Sequence, residues 1–439
     1  MNTPRTGTPS SMHIRDHLDL FSIVALGVIF YLATPYWFSW TRDYYNVAFH
    51  LDGAQFDYMK AVLEGSIYRR VGLLCLALYG VDCLIRGHYR LRMRDWLGHL
   101  CILFMVWATA SLLWSESSGL VLRKIIILWC LAIGAFGVAT RMNLTRLLTT
   151  MLILSAGTML LSLAAELYYG NFDPFTSSYR FAGVMHPVIQ GWNCGLLLLT
   201  AFALLSCGYR PRRWLILLAL CGLAGILLTK SRWPLATGLI GVFTISHFTW
   251  SLRSRAAVVL WLAAAGCVVL LFYFNDPSVP FRKALSMGRG DEALLGAGTL
   301  SGRTHLWSLV INLWQDKPFL GYGYNAFQIP SILNYLNARM SWLPTNCHSA
   351  YLQMLLGLGA VGLIVFLGIF LLAVRKALYL ARRHPLESFS FGLLVSLVAN
   401  MLIEAPVITD PSLMTFTAYV IIIRLAFLSD STDEIRSGA

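Results

Sequence analysis

Charged side chains are scarce in this sequence. They make up 13% of 439 residues, about half the usual share for a globular protein. Acids are scarcer than bases, 21 against 34, which leaves a formal charge of +13. A soluble fold does not need a chain that is 57% hydrophobic with a mean hydropathy of +0.64. No His-Glu-x-x-His or paired-cysteine motif is present, and no cluster of carboxylates resembles a divalent-cation cage. The expectation is therefore no metal and no cofactor. A P-loop and a dinucleotide fingerprint are also lacking, and the lone Gly321-Tyr322-Gly323 reads as a turn. Of nine cysteines, eight fall inside apolar runs or at their inner ends. Only Cys347 lies near the outer surface, so no disulfide framework is available there. A removable signal peptide is not expected, because the N-terminus is polar to Asp19 and the first apolar run is followed by many others.

What the chain has in quantity is long apolar runs. A spanning helix needs about 20 apolar residues, and such runs recur from Leu20 to Leu428. The pattern predicts an all-α polytopic membrane protein with about twelve spans, near 20–38, 71–86, 97–114, 119–139, 147–167, 188–206, 214–230, 234–250, 257–274, 350–374, 387–407 and 412–428. The basic residues sort onto one side: Arg86, Arg90, Arg92 and Arg94; Arg141 and Arg146; Arg210, Arg212 and Arg213; Arg253 and Arg255; Arg375, Lys376, Arg382 and Arg383. By the positive-inside rule that side is cytoplasmic, and both termini lie there. With the charge assigned to the membrane in this way, it does not call for a nucleic-acid partner. The chain reads as one domain, 1–439, with a long outer loop at 275–349. Within that loop Ser301 is placed to cap a helix running to about Trp314, and a second helix is expected from Asn325 to Met340. The two form a candidate lid at the interface.

The outer side should be poor in Lys and Arg, yet it carries several. Arg123 and Lys124 lie at the outer end of span four, and Arg180 follows span five. Lys230, Ser231 and Arg232 join spans seven and eight, and Arg303 opens the first lid helix. Few acids are near, chiefly Glu166, Glu404 and Asp410. Each base alone is compatible with snorkelling to lipid headgroups. Four loops together point to an anionic ligand, and the arginine fork suits phosphate. His348 stands where the long loop re-enters the membrane. It suits a general base by its ordinary pKa, and equally a hydrogen-bonded residue at a helix start. ATP is not expected outside the cytoplasm, so chemistry there needs a substrate that is already activated, such as a lipid-linked diphosphate.

Three segments resemble the O-antigen ligase and polymerase superfamily of bacterial membrane glycosyltransferases, which carries a GT-C-like helical fold. They are Lys230-Ser231-Arg232; Ser301-Gly302-Arg303-Thr304-His305-Leu306-Trp307 with Asp316-Lys317-Pro318-Phe319-Leu320-Gly321-Tyr322-Gly323; and His348-Ser349-Ala350-Tyr351-Leu352-Gln353 with Leu358-Gly359-Ala360-Val361-Gly362. Arg180-Phe181-Ala182-Gly183 resembles the family's basic segment before span six. The likeness covers roughly Arg180 to Leu371. Ser349 stands where the family often has Asn.

The resemblance implies an O-antigen ligase in the bacterial inner membrane with a periplasmic active site. It would transfer a polysaccharide from undecaprenyl diphosphate to a sugar hydroxyl of lipid A–core, with inversion and without a metal. The implied roles are His348 as base and Arg180, Arg232, Arg303 and Lys230 on the diphosphate. Lys124, Arg123 and Tyr351 take secondary places. Membrane lipids are the other expected partners. An O-antigen polymerase or a protein O-oligosaccharyltransferase would carry much the same motifs. A transporter or flippase for anionic lipids is the rival from another class, but the paired halves expected of one are not visible in the sequence.

Overall fold

A computed structural model describes residues 13–33, 67–86, 95–176, 179–251, 303–340, 344–405 and 411–427. Among the described residues the secondary structure is helical, with a single isolated bridge between His13 and Arg210. The helices are α1 (Leu20–Ala33), α2 (Ile67–Ile85), α3 (Trp96–Ala110), α4 (Ser118–Arg141), α5 (Leu144–Tyr168), α6 (Pro187–Ser206) and α7 (Arg212–Leu228). They continue with α8 (Arg232–Thr249), α9 (Arg303–Asp316), α10 (Pro330–Asn337), α11 (Ala350–Ala381), α12 (Ser388–Asn400) and α13 (Leu413–Phe427). Among the described residues, five helical stretches are long and apolar enough to cross a membrane: Trp96–Leu113, α4, α5, α6 and α11. The expected span at 257–274 lies outside the described residues, as do Ser301 and Asp410.

The bundle is layered by neighbour contacts. α2 packs on α1 and α4, α6 on α5, α7 and α8, α8 on α12, and α11 on α3, α9 and α12. α6 is the central strut, buried along nearly its whole length. Its start fits the sequence: Pro187 occupies the first turn, and the His186 Nδ1 caps the Val188 N–H at 3.3 Å.

Several expected boundaries move. The span expected to 374 runs on to Ala381, and the second helix of the long loop does not begin at Asn325, which adopts φ 53 in the left-handed region. A short 3-10 turn, Ala326–Gln328, follows, and the helix starts at Pro330, whose fixed φ suits a first helical position. The span expected to 407 stops at Asn400, and residues 401–403 form a turn.

The largest departure lies inside α11. Gly359 adopts φ 66 and ψ −169 and breaks the helix. The interrupted backbone groups find partners in the Pro318–Gly323 turn: Tyr322 N–H donates to Leu356 O at 3.0 Å and Gly323 N–H to Gly357 O at 2.8 Å. Ala360 N–H donates to Pro318 O at 2.8 Å, and Trp107 Nε1 reaches Leu358 O at 3.3 Å. An irregular backbone within an apolar helix is tolerated only where protein satisfies it, and here that condition is met bond by bond. A Cβ on Gly359 would stand 2.2 Å from the Phe319 carbonyl oxygen, so glycine is required by space as well as by φ.

Candidate active site

The site is built where α9, the start of α11 and the end of α12 converge. Ala350 N–H donates to Met401 O at 2.9 Å and Glu404 O at 3.2 Å, which docks the start of α11 on the turn after α12. Tyr351 adds its hydroxyl to Val398 O at 3.0 Å. That places Tyr351 as a clasp between α11 and α12, engaged with backbone.

The loop that carries His348 is held from both sides. Trp307 of α9 donates its Nε1 to Cys347 O at 3.0 Å. Gln353 of α11 accepts from Cys347 N–H at 3.0 Å and donates to Asn325 Oδ1 at 2.7 Å. The second and third motifs, separate in sequence, therefore interlock around His348. His348 itself sits at φ 47, and its N–H donates to Asn346 Oδ1 at 2.7 Å. A non-glycine residue held in the left-handed region costs about 1–3 kcal/mol and marks a position over-determined by its surroundings.

Glu404, 8% exposed, bridges two of the predicted residues. Its Oε1 takes the Arg303 Nη2 at 2.9 Å, and its Oε2 lies 3.5 Å from His348 Nδ1. Arg303 Nη1 also donates to Ile403 O at 2.8 Å. Burial opposes ionisation of the Glu404 carboxyl, and the neighbouring His348 and Arg303 outweigh it, holding the group below the usual carboxylate range. A carboxylate at Nδ1 favours the tautomer with the proton on that nitrogen and leaves Nε2 as the basic atom. In the sequence Glu404 stood only as one of three acids near the basic residues. The missed signal is long-range: no local spacing joins residue 404 to residues 303 and 348.

A second group forms at the joint of α7 and α8. Arg180 lies across that turn, donating Nε to Thr229 O and Nη2 to Ser231 Oγ, both at 3.1 Å. Lys230 has φ 48 and donates Nζ to Thr176 O at 3.1 Å. Its ammonium is pushed below the usual lysine range by burial and by the nearby Arg180 charge. Arg232 opens α8 on the exposed side of the same turn.

The two groups share one end of the bundle. α8 packs against α12, with Ser396 Oγ donating to Thr237 O at 2.9 Å. Running back from Thr237 to Arg232 and on from Ser396 to Glu404 leads toward the same end. Arg123 and Lys124 lie early in α4, the first exposed and the second half-buried. His305, in the motif that opens α9, engages Arg339 O at 3.1 Å through Nε2.

Residues 196–367 match the family described as O-antigen ligase. The chain carries an O-antigen ligase family domain. That domain runs from within α6 to past the Gly359 break, and it contains Lys230, Arg232, Arg303 and His348; Glu166, Arg180 and Glu404 lie outside the matched residues. The chain is 25% identical over 372 residues to the exopolysaccharide production protein ExoQ of Rhizobium meliloti strain 1021, covering 78% of this chain and 81% of that one. It is also 25% identical over 252 residues to a ComP-specific O-oligosaccharyltransferase of Acinetobacter baylyi, covering 54% of this chain and 43% of that one. The chain with this O-antigen ligase domain is an enzyme of the glycosyltransferase type.

Proposed function

We propose that this protein is an O-antigen ligase. It transfers a polysaccharide from undecaprenyl diphosphate to a sugar hydroxyl of lipid A–core, with inversion and without a metal, at the periplasmic face of the inner membrane. The twelve-span topology with cytoplasmic termini belongs to this reading, and the sorting of basic residues supports it. The observation that carries the chemistry is the Arg303–Glu404–His348 bridge beside the O-antigen ligase motifs.

Arg180, Lys230 and Arg232 take the donor diphosphate. Fixed cations aimed at a leaving group that gains charge stabilise the transition state more than the ground state. Arg303, given a diphosphate role on sequence grounds, is read differently: its Nη2 pairs with the Glu404 carboxylate, which balances its charge, so its task is to fix the carboxylate that orients His348. In the transfer step the acceptor oxygen attacks the anomeric carbon from the face opposite the diphosphate. The bond to the diphosphate oxygen breaks with its electron pair, and the acceptor proton passes to His348 Nε2. A diphosphate leaves without needing a proton, so no general acid is required. General-base help is worth about 10²–10⁴-fold.

An apolar cavity of about 300 Å³ between α1, α5, α6 and α13, lined by Phe30, Leu154, Met185, Trp192 and Leu413, suits part of a lipid chain. Met185 is five residues from Arg180 in the same loop.

A second reading, the O-antigen polymerase, draws on the match to a polysaccharide production protein over most of both chains. Purified protein incubated with an undecaprenyl-diphosphate-linked glycan and lipid A–core, with EDTA present, separates the two. A glycan ladder on lipid A–core supports the ligase, and longer lipid-linked chains without modified acceptor support the polymerase. No transfer, with donor and acceptor that a known ligase accepts, overturns both.

A further inference from the structure

Glu166 is the acid that simple charge sorting would pair with the basic rim. It stands in the last turn of α5 and is 3% exposed. Its Oε1 accepts the N–H of Ala182 at 3.0 Å and of Gly183 at 2.8 Å, and its Oε2 accepts the Tyr179 hydroxyl. One carboxylate thus binds three donors from a single five-residue loop, on both sides of Arg180.

The rest of the loop is equally fixed. Gly183 has φ 58, and a Cβ there would lie 2.2 Å from Ser162 Cβ, one turn before Glu166 on the same helix. Phe181 N–H donates to Leu228 O at 2.9 Å, and its ring is buried with Tyr179, Leu198 and Ile226. With residues 179, 181, 182 and 183 all tied inward, Arg180 is delivered to Thr229 O and Ser231 Oγ on the α7–α8 turn.

We propose that Glu166 is the positioning residue of the basic clamp: it fixes the 179–183 loop from within, so that Arg180 meets the donor diphosphate in one geometry. This rests on the assignment of Arg180 to the diphosphate. Glu166 touches no substrate atom and acts through Arg180 alone. A carboxylate suits the task because it offers acceptors only; an amide in its place turns one end into a donor facing the Tyr179 hydroxyl.

The test is steady-state transfer by the full-length protein, varying the undecaprenyl-diphosphate-linked donor and then the lipid A–core acceptor, for Glu166→Gln, Tyr179→Phe, Arg180→Ala and the Glu166→Gln/Arg180→Ala double variant. Glu166→Gln should raise the donor KM about tenfold, the low end of losses seen when a supporting residue is removed, and Tyr179→Phe should raise it less. Acceptor KM should not move. In the Arg180→Ala background, Glu166→Gln should add nothing, because residues that act through one another are not additive. A residue that merely stabilised the fold would give the same loss in both backgrounds. An unchanged donor KM in Glu166→Gln, or an undiminished effect on top of Arg180→Ala, overturns the positioning role while leaving the clamp intact. An unchanged donor KM in Arg180→Ala overturns the clamp itself, and this inference with it. Should Glu166→Gln fail to fold, Tyr179→Phe alone and combined with Arg180→Ala gives the same comparison.

Discussion

The two charged groups at this end of the bundle are built on opposite principles. Beside His348, unlike charges meet: the buried Glu404 carboxylate pairs with the half-buried Arg303 and lies 3.5 Å from the imidazole. At the α7–α8 turn, like charges crowd together, and Lys230 is pushed below its ordinary range in part by Arg180. The first arrangement satisfies itself and serves orientation. The second gathers charge of one sign, which an incoming anion complements. A base must be aimed before the substrate arrives, and a phosphate clamp must offer positive charge where the phosphate lands.

Substitutions can break this contrast, and the largest effect is expected at the base. His348→Ala should lower kcat by about 10²–10⁴-fold in a gel assay of glycan transfer, with donor KM little changed. Normal transfer by this variant would remove the base assignment.

Glu404→Gln keeps the volume and loses the charge. Transfer should fall about 10–100-fold, as when an outer partner of a functional histidine is lost. The variant also has a pH signature. The folded pKa of Glu404 is depressed, so its stabilising contribution is full above the unfolded value of about 4.3. That contribution is lost as pH falls through the folded value. The difference in thermal stability between wild type and Glu404→Gln should therefore shrink in acid. A difference that grew in acid would contradict the ion-pair account.

Arg232→Lys preserves charge and removes the fork. Donor KM should rise roughly tenfold, a cost of about 1.4 kcal/mol; equal donor KM would mean that charge alone suffices there. The smallest effect should come from Lys230→Met. It weakens donor binding a few-fold and lowers the Tm slightly, because the Nζ hydrogen bond to Thr176 O is lost. Unchanged donor binding would remove Lys230 from the clamp.

The sequence made the helical architecture legible because apolar runs are local: α3 to α8 start and stop within a few residues of the expected spans. Arg180, Lys230 and Arg232 stood out in the sequence as basic residues on the outer side, and His348 by its place where the long loop re-enters the membrane. The Gly359 break was not, since it depends on Pro318–Gly323 arriving from another part of the chain to satisfy it. The partners of Glu404 and Glu166 were hidden for the same reason. Both were visible as rare acids near basic residues, but charge sorting cannot tell an ion pair from a carboxylate spent on backbone N–H groups.

The division of labour between the two groups is most directly tested by donor binding measured apart from transfer, with an undecaprenyl-diphosphate-linked glycan titrated into wild type, His348→Ala and Arg232→Ala. His348→Ala should bind the donor like wild type and fail to transfer it, while Arg232→Ala should bind it at least tenfold more weakly. Equal loss of donor binding in both variants, or transfer by His348→Ala, would contradict it.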